Sequence, residues 1–290
     1  EQASAAFHSR SSAKVLARDG SGWRVRLGDR DVLARVVIAC DGLTGASLGA
    51  VSDAERLGVL IDPSSWMGAG VVVPADRAAR WCDVVAAGEI AMHIGDAGYV
   101  GLVRLADGRL DVAAALDAAH ARSAGGPGPA IAGVLASCGV SHASTRLADE
   151  PISGTGLLTR RRSRPAAPGL IIAGDAAGYV EPFTGEGIAW ALAQGEHAGA
   201  LAARAARDPA AWLALAAEWS AWLRAQIDPR RRSCRALRWT LRHAPARRCT
   251  FAALSRSSLA RAAAGAIVRA TGRPYPTPAG PASEVLPCGS

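Results

Sequence analysis

Apolar and polar positions alternate along the first forty residues, and turn dipeptides punctuate them. The runs Ala13–Arg18, Trp23–Leu27 and Val32–Cys40 are separated by Asp19-Gly20 and Gly28-Asp29. That pattern predicts a β-meander whose third, longer strand ends at Asp41-Gly42. Further strands are predicted over Gly70–Val73, Ile90–Ile94, Tyr99–Leu105 and Leu110–Leu116, the last two joined by a hairpin turn at Asp107-Gly108. Gly125-Gly126-Pro127-Gly128 reads as a loop, followed by a short helix around Ala130–Ser137. Leu170–Ala173 is short, wholly apolar and flanked by glycines, as a buried parallel strand should be. After a glycine-rich turn, a helix is predicted from about Gly187 to Ala206. Its small residues Ala191, Gly195 and Gly199 share one face and suggest close approach of a neighbouring backbone. From Pro209 onward the pattern is helical, with breaks at Asp228-Pro229, Ala244-Pro245 and Gly272-Arg273-Pro274, and the last residues read as a loose tail.

Composition narrows the classes. The 290 residues are 50% hydrophobic and 20% charged, which excludes a disordered or collagen-like chain. No run reaches the roughly 18–20 apolar residues of a membrane span. Cys40, Cys82, Cys138, Cys234, Cys249 and Cys288 are scattered without a CxxC pair, which points to reduced cytoplasmic thiols and no metal site. The chain opens Glu-Gln-Ala-Ser, with no initiator Met, and is expected to be part of a longer protein.

The formal charge of +8 is unevenly placed. Between Arg224 and Arg273, 13 arginines stand against one acid, Asp228, leaving the rest of the chain net negative. A packed helical cap with a solvated arginine face is the favoured reading. Peripheral membrane contact through these arginine-rich helices is the second reading, and the absence of a recognised motif argues against nucleic acid. The packed cap is expected to bury Leu237, Trp239 and Leu241.

The chemistry concentrates in Leu170–Ile188. A buried strand delivers Asp175 at its carboxyl end, where α/β sheets place ligands. Glycines then permit close backbone approach, and a helix starting near Gly187 offers free N–H groups to negative charge. An ionised Asp175 can accept hydrogen bonds from a sugar-like hydroxyl.

Gly174-Asp175-Ala176-Ala177-Gly178, then Pro182 and Gly185-Glu186-Gly187-Ile188, resembles the second flavin motif of FAD-dependent oxidoreductases with the p-hydroxybenzoate hydroxylase fold, nearest to the geranylgeranyl reductase-like branch. Asp41-Gly42, after Val36–Cys40, is similar to that family's Asp-Gly motif, and the two motifs occur in the family's order. The resemblance, over roughly Ala13 to Ala206, implies an α/β fold, α+β overall. In it a partial Rossmann-like FAD domain carries an inserted antiparallel β substrate domain and C-terminal helices. The implied division is 1–50 and 154–206 for the FAD domain, 51–153 for the substrate domain, and 207–290 for the helical region and tail.

The resemblance further implies FAD held by Asp41, Gly42, Gly174, Asp175, Ala176, Pro182, Gly185, Glu186, Gly187 and Ile188. Asp175 is then expected on the ribityl chain and Gly185–Ile188 along the pyrimidine edge of the flavin. NADH or NADPH is the implied electron donor and an apolar or aromatic small molecule the substrate. Tyr99 and His93 are the candidates for proton transfer, although core packing explains either residue more simply.

Several departures accompany the match. No GxGxxG unit precedes the meander, so the ADP half of FAD has no visible site and this chain is expected to bind FAD weakly. Thr44-Gly45-Ala46-Ser47 lacks the arginine of aromatic hydroxylases, and Gly178 stands where they usually carry His. The Trp-x-Trp motif and catalytic lysine of flavin-dependent halogenases do not occur. A monooxygenase remains the alternative enzyme, and an FAD-free binding protein the alternative of another class.

Overall fold

The computed structural model describes residues 5–20, 22–147, 150–181, 183–259, 262 and 265. The expected break at Gly272-Arg273-Pro274, the loose tail and Pro182 lie outside the described residues. The described residues divide into two compact units, one made up of residues within 5–60 and 161–231, the other of residues within 61–160 and 232–265.

In the first unit, Ala13–Asp19, Gly22–Leu27 and Arg30–Ala34 form an antiparallel meander. The longer strand expected over Val32–Cys40 is two strands, Arg30–Ala34 and Val37–Ala39, in different sheets. The break falls where the chain changes partner. The Arg35 carbonyl accepts from Trp212 Nε1 at 2.7 Å, and the Val37 N–H donates to the Gly169 carbonyl at 2.9 Å. Val37–Ala39 then runs parallel to Leu170–Ile172, whose other neighbour is the antiparallel strand Ala166–Ala167. Leu170, Ile171 and Ile172 are fully buried, in keeping with a strand covered on both faces. Trp23, Leu48, Leu57, Leu170 and Ile172 belong to one core cluster.

Two helices follow, Gly187–Ala205 and Pro209–Gln226. The second begins with Pro209 at its first position, and the Asp208 carboxylate accepts from the Ala210 N–H at 2.9 Å. It packs on the first helix and over the buried strands. Ala191, Gly195 and Gly199 do not meet a neighbouring backbone. All three are exposed, and a Cβ added at either glycine would find nothing within 4 Å. The helix buries instead the face carrying Trp190, Gln194, Ala198 and Leu201.

The second unit is built on a five-stranded antiparallel sheet. Its spatial order is Ser153–Leu157, Met67–Val73, Leu110–Leu116, Gly98–Arg104 and Ile90–Ile94. One face is closed by the helix Pro127–Ser137, and Val100, Leu102, Val112, Ile131 and Leu135 share its core. Pro127 and Gly128, expected in a loop, form the first turn of that helix, since proline's fixed φ suits the first helical position. The Asp107-Gly108 turn joins its strands as expected, with Gly108 at φ +86°. Helices Asp228–Arg242 and Ala244–Arg256 complete the chain that is described. No helix among the described residues is long and apolar enough to cross a membrane.

Candidate functional site

Parallel pairing of Val37–Ala39 with Leu170–Ile172 brings the carboxyl ends of both strands side by side. The Ala173 N–H still donates to the Ala39 carbonyl, at 2.9 Å, and beyond it the chains diverge. Left-handed glycines make that divergence, with Gly42 at φ +69° and Gly174 at φ +63°. The Gly174 N–H is fixed by Oε1 of buried Gln194, at 3.0 Å, which ties the turn to the helix Gly187–Ala205.

Between the strand ends and the start of that helix lies a cleft of about 480 Å³. Cys40, Gly42, Asp175, Tyr179, Gly187 and Ile188 line it, together with Gly174 and Gly185. The Asp175 carboxylate is half-buried and makes no hydrogen bond among the described residues. Burial pushes its pKa up, and the charge of Arg231 pulls it back down. Tyr179 is pushed up to about 12 by burial and by the acids Asp175 and Glu181. Burial also raises Cys40, with Asp41 adding to it. No side chain caps the helix at Glu186, so the first-turn N–H groups are not claimed by a capping group. A carboxylate acceptor, a helix N-terminus and glycine backbone thus converge on one apolar-walled cleft. That set suits a ligand that offers hydroxyl donors to the carboxylate and negative charge to the helix start.

The other residues singled out from the sequence sit differently. Asp41 turns away from the cleft, and its carboxylate accepts from the Ser47 N–H at 2.7 Å. Ala176 is buried, and its carbonyl accepts from Arg162 Nε at 2.9 Å; Glu186 stands at the helix cap. Tyr99 and His93 belong to the second unit and are not brought together. His93 pairs across the sheet with Val100 and Tyr99 with Ile94, so their side chains take opposite faces. Tyr99 is buried edge-on against Trp66, ring centroids 5.7 Å apart. His93 lines a polar pocket of about 250 Å³ with Asp83, Cys138, His142 and Arg146, and burial lowers its pKa.

Two arginines were not recognised in the sequence as parts of this site. Arg231 is buried beneath the turn and donates to the Gly178 carbonyl at 2.8 Å. Arg162, also buried, donates to the carbonyls of Ala176 and Leu57. Arg162 lies in the arginine-rich run Arg160–Arg164, whose polar sequence gives no sign of a buried guanidinium.

No protein-family model matches the chain, and no curated protein matches it. Solved structures do. The flavin-dependent brominase Bmp2 aligns over 90% of this chain and 64% of its own, with a TM-score of 0.61 at 14% identity. HpxO of Klebsiella pneumoniae, solved with FAD and uric acid, aligns over 89% of this chain and 64% of its own, with a TM-score of 0.60 at 17% identity. The anhydrotetracycline hydroxylase OxyS of Streptomyces rimosus aligns over 92% and 53%, with a TM-score of 0.59 at 17% identity. The chain shares the fold of these three structures. The chain spans less than two thirds of the length of each of these three.

Proposed function

We propose that this chain is the flavin-facing part of an FAD-dependent oxidoreductase of reductase type. Its substrate is an apolar or aromatic small molecule, and its electron donor is NADH or NADPH. The observation that carries the reading is the unbonded Asp175 carboxylate in the cleft at the uncapped start of the helix Gly187–Ala205. FAD, when bound, supplies a two-electron carrier that no amino-acid side chain offers. Asp175 would accept from a hydroxyl of the ribityl chain. The N–H groups of the helix start would face the flavin's pyrimidine edge and stabilise negative charge there by up to about 2 kcal/mol. In this reading residues 1–50 and 154–206 form the FAD domain, 51–153 the substrate domain, and 207–290 a helical region.

The sheet of the second unit supports the proposed substrate class. Its face away from the helix Pro127–Ser137 carries Gly70, Gly101 and Ala113, with Val72, Ile90 and Met92 exposed and Asp111 as the one acid beside them. A flat apolar molecule is the complement of such a surface. A monooxygenase is the second reading, supported by the fold likeness to a protein named as a hydroxylase.

Titration with riboflavin and FAD, followed by flavin fluorescence, tests the proposal. Riboflavin and FAD are expected to bind within about tenfold of each other, because the residues named here contact the flavin end. Asp175→Ala is expected to weaken both, by about 1.5–3 kcal/mol if nothing replaces the lost charged hydrogen bond. Unchanged affinity in a folded Asp175→Ala variant removes the residue from the site, and no flavin binding by the wild type favours an FAD-free binding protein. Oxygen uptake during NADH or NADPH oxidation with candidate substrates separates monooxygenase from reductase.

A further inference from the structure

The two C-terminal helices divide their arginines by face. In Asp228–Arg242, Arg231, Cys234, Arg238 and Leu241 recur at helical spacing and turn inward, with Leu241 only 4% exposed. Arg238 Nη1 donates to Asp62 Oδ2 at 2.7 Å, and the Arg242 guanidinium lies over the Trp66 ring, 4.2 Å from its centroid. In Ala244–Arg256 it is Arg247 that turns inward, pairing with Asp96.

The opposite face is different. Arg232, Arg235 and Trp239 follow one another at i, i+3 and i+7, and all are exposed, Trp239 by 58%. The expectation that a packed cap buries Trp239 with Leu237 and Leu241 therefore holds for Leu241 and fails for Trp239. The next helix repeats the arrangement, with exposed Arg248 and Phe251 followed by Leu259, which is 81% exposed. The guanidinium groups of Arg232 and Arg235 make no hydrogen bond or ion pair among the described residues. No Asp or Glu occurs in the sequence between Asp228 and Glu284, so the acids set against these arginines come from elsewhere, Asp62 facing Arg238 and Asp96 facing Arg247 and, at longer range, Arg248.

An arginine face that only needed solvation would not require large apolar side chains standing between the charges. Trp and Phe placed beside arginines suit a boundary at which an anionic layer overlies hydrocarbon. We propose that the outer faces of these two helices form a docking surface for an anionic lipid bilayer. Arginines meet the headgroups, and Trp239 and Phe251 enter the headgroup–acyl boundary. The surface is independent of the flavin reading.

Co-sedimentation of the whole chain with vesicles tests it, using phosphatidylserine–phosphatidylcholine mixtures and phosphatidylcholine alone at low and high salt. Each arginine near an anionic surface contributes about fivefold in affinity. Arg232→Gln/Arg235→Gln/Arg248→Gln is thus expected to weaken binding to the anionic vesicles by about 100-fold. High salt is expected to do much the same to the wild type, because the Debye length shrinks to about 3 Å at 1 M. Trp239→Ser/Phe251→Ser is expected to remove the residual binding that survives salt. These exposed substitutions should leave circular dichroism and melting unchanged.

Absence of anionic-vesicle binding at low salt overturns the proposal. So does binding that neither variant weakens. Displacement from vesicles by single-stranded DNA that the arginine variant no longer binds would assign the face to nucleic acid instead. A dimer in sedimentation equilibrium that Trp239→Ser/Phe251→Ser dissociates, without vesicle binding by the wild type, would assign it to a second copy.

Discussion

The strand that delivers Asp175 is held in place by two indoles and one glycine. Trp219 is fully buried, and its Nε1 donates to the Ile172 carbonyl at 3.0 Å, just before the turn. Trp212 Nε1 donates to the Arg35 carbonyl, and its ring fills the space where a Gly169 side chain would begin. Gly169 also has φ +68°, so Gly169→Ala combines left-handed strain with overpacking. A loss of about 2–4 kcal/mol in urea denaturation is expected. Gly20→Ala is the control, because Gly20 has φ +58° but open space around it, and only the strain of about 1–2 kcal/mol applies. Equal losses in the two variants would remove the indole from the argument. At this scale the place of Asp175 at the end of a buried strand was legible, since the short apolar run and the glycines after it mark that strand locally. Arg231 and Arg162 were not, because the bonds that fix them to the turn and to the neighbouring loop run to the backbone carbonyls of Gly178, Ala176 and Leu57, which carry no residue signature.

Elements were readable where their own periodicity decides and unreadable where a distant partner decides. Ile90–Ile94 and Leu110–Leu116 form as their alternation indicates. The break within Val32–Cys40 has no local mark, since both halves are apolar and Trp212 and Gly169 impose it from far along the chain. Likewise the small-residue face of Gly187–Ala205 says that a backbone could approach, not that one does.

The helix Asp228–Arg242 offers a test at this scale, because its docking carries a titratable partner. Burial acts to raise Asp62, but hydrogen bonds from Arg238 and from the Ser64 hydroxyl and N–H outweigh it and hold its pKa at about 2. An ordinary aspartate titrates near 3.9, so the unfolded chain binds this proton first. The stabilisation is therefore complete above about pH 4 and lost as pH falls toward 2. With Asp62 about one third exposed, solvent screening leaves on the order of 1 kcal/mol. Melting of wild type and Asp62→Asn should differ at pH 7 and converge by about pH 2. A gap that stays constant with pH would show that the carboxylate charge does not hold the helix.

On the scale of the whole molecule, the chain leaves the first unit after Leu60 and returns at Arg161. The excursion costs entropy, since closing a flexible loop of about 100 residues is unfavourable by roughly 4 kcal/mol. Pairing of Val37–Ala39 with Leu170–Ile172 must bear that cost unless the intervening segment orders itself. The second unit has the means to do so. Its strands Ile90–Ile94, Gly98–Arg104 and Leu110–Leu116 are joined by antiparallel hairpins, it has its own core, and the Asp62 N–H donates to the Thr159 carbonyl at 3.0 Å, which clamps the two ends together. Replacing residues 63–158 by three glycines, and ending the chain after Arg231, should therefore leave the first unit folded. The shortened chain keeps the core of Trp23, Leu170 and Ile172, the helices Gly187–Ala205 and Pro209–Gln226, and Arg231 beneath Gly178. A near-ultraviolet circular dichroism signal from buried Trp23 and Trp219, lost in one cooperative thermal transition, is the expected result. A chain with secondary structure but no such signal would mean that the first unit depends on the second for its packing, and the cleft around Asp175 with it.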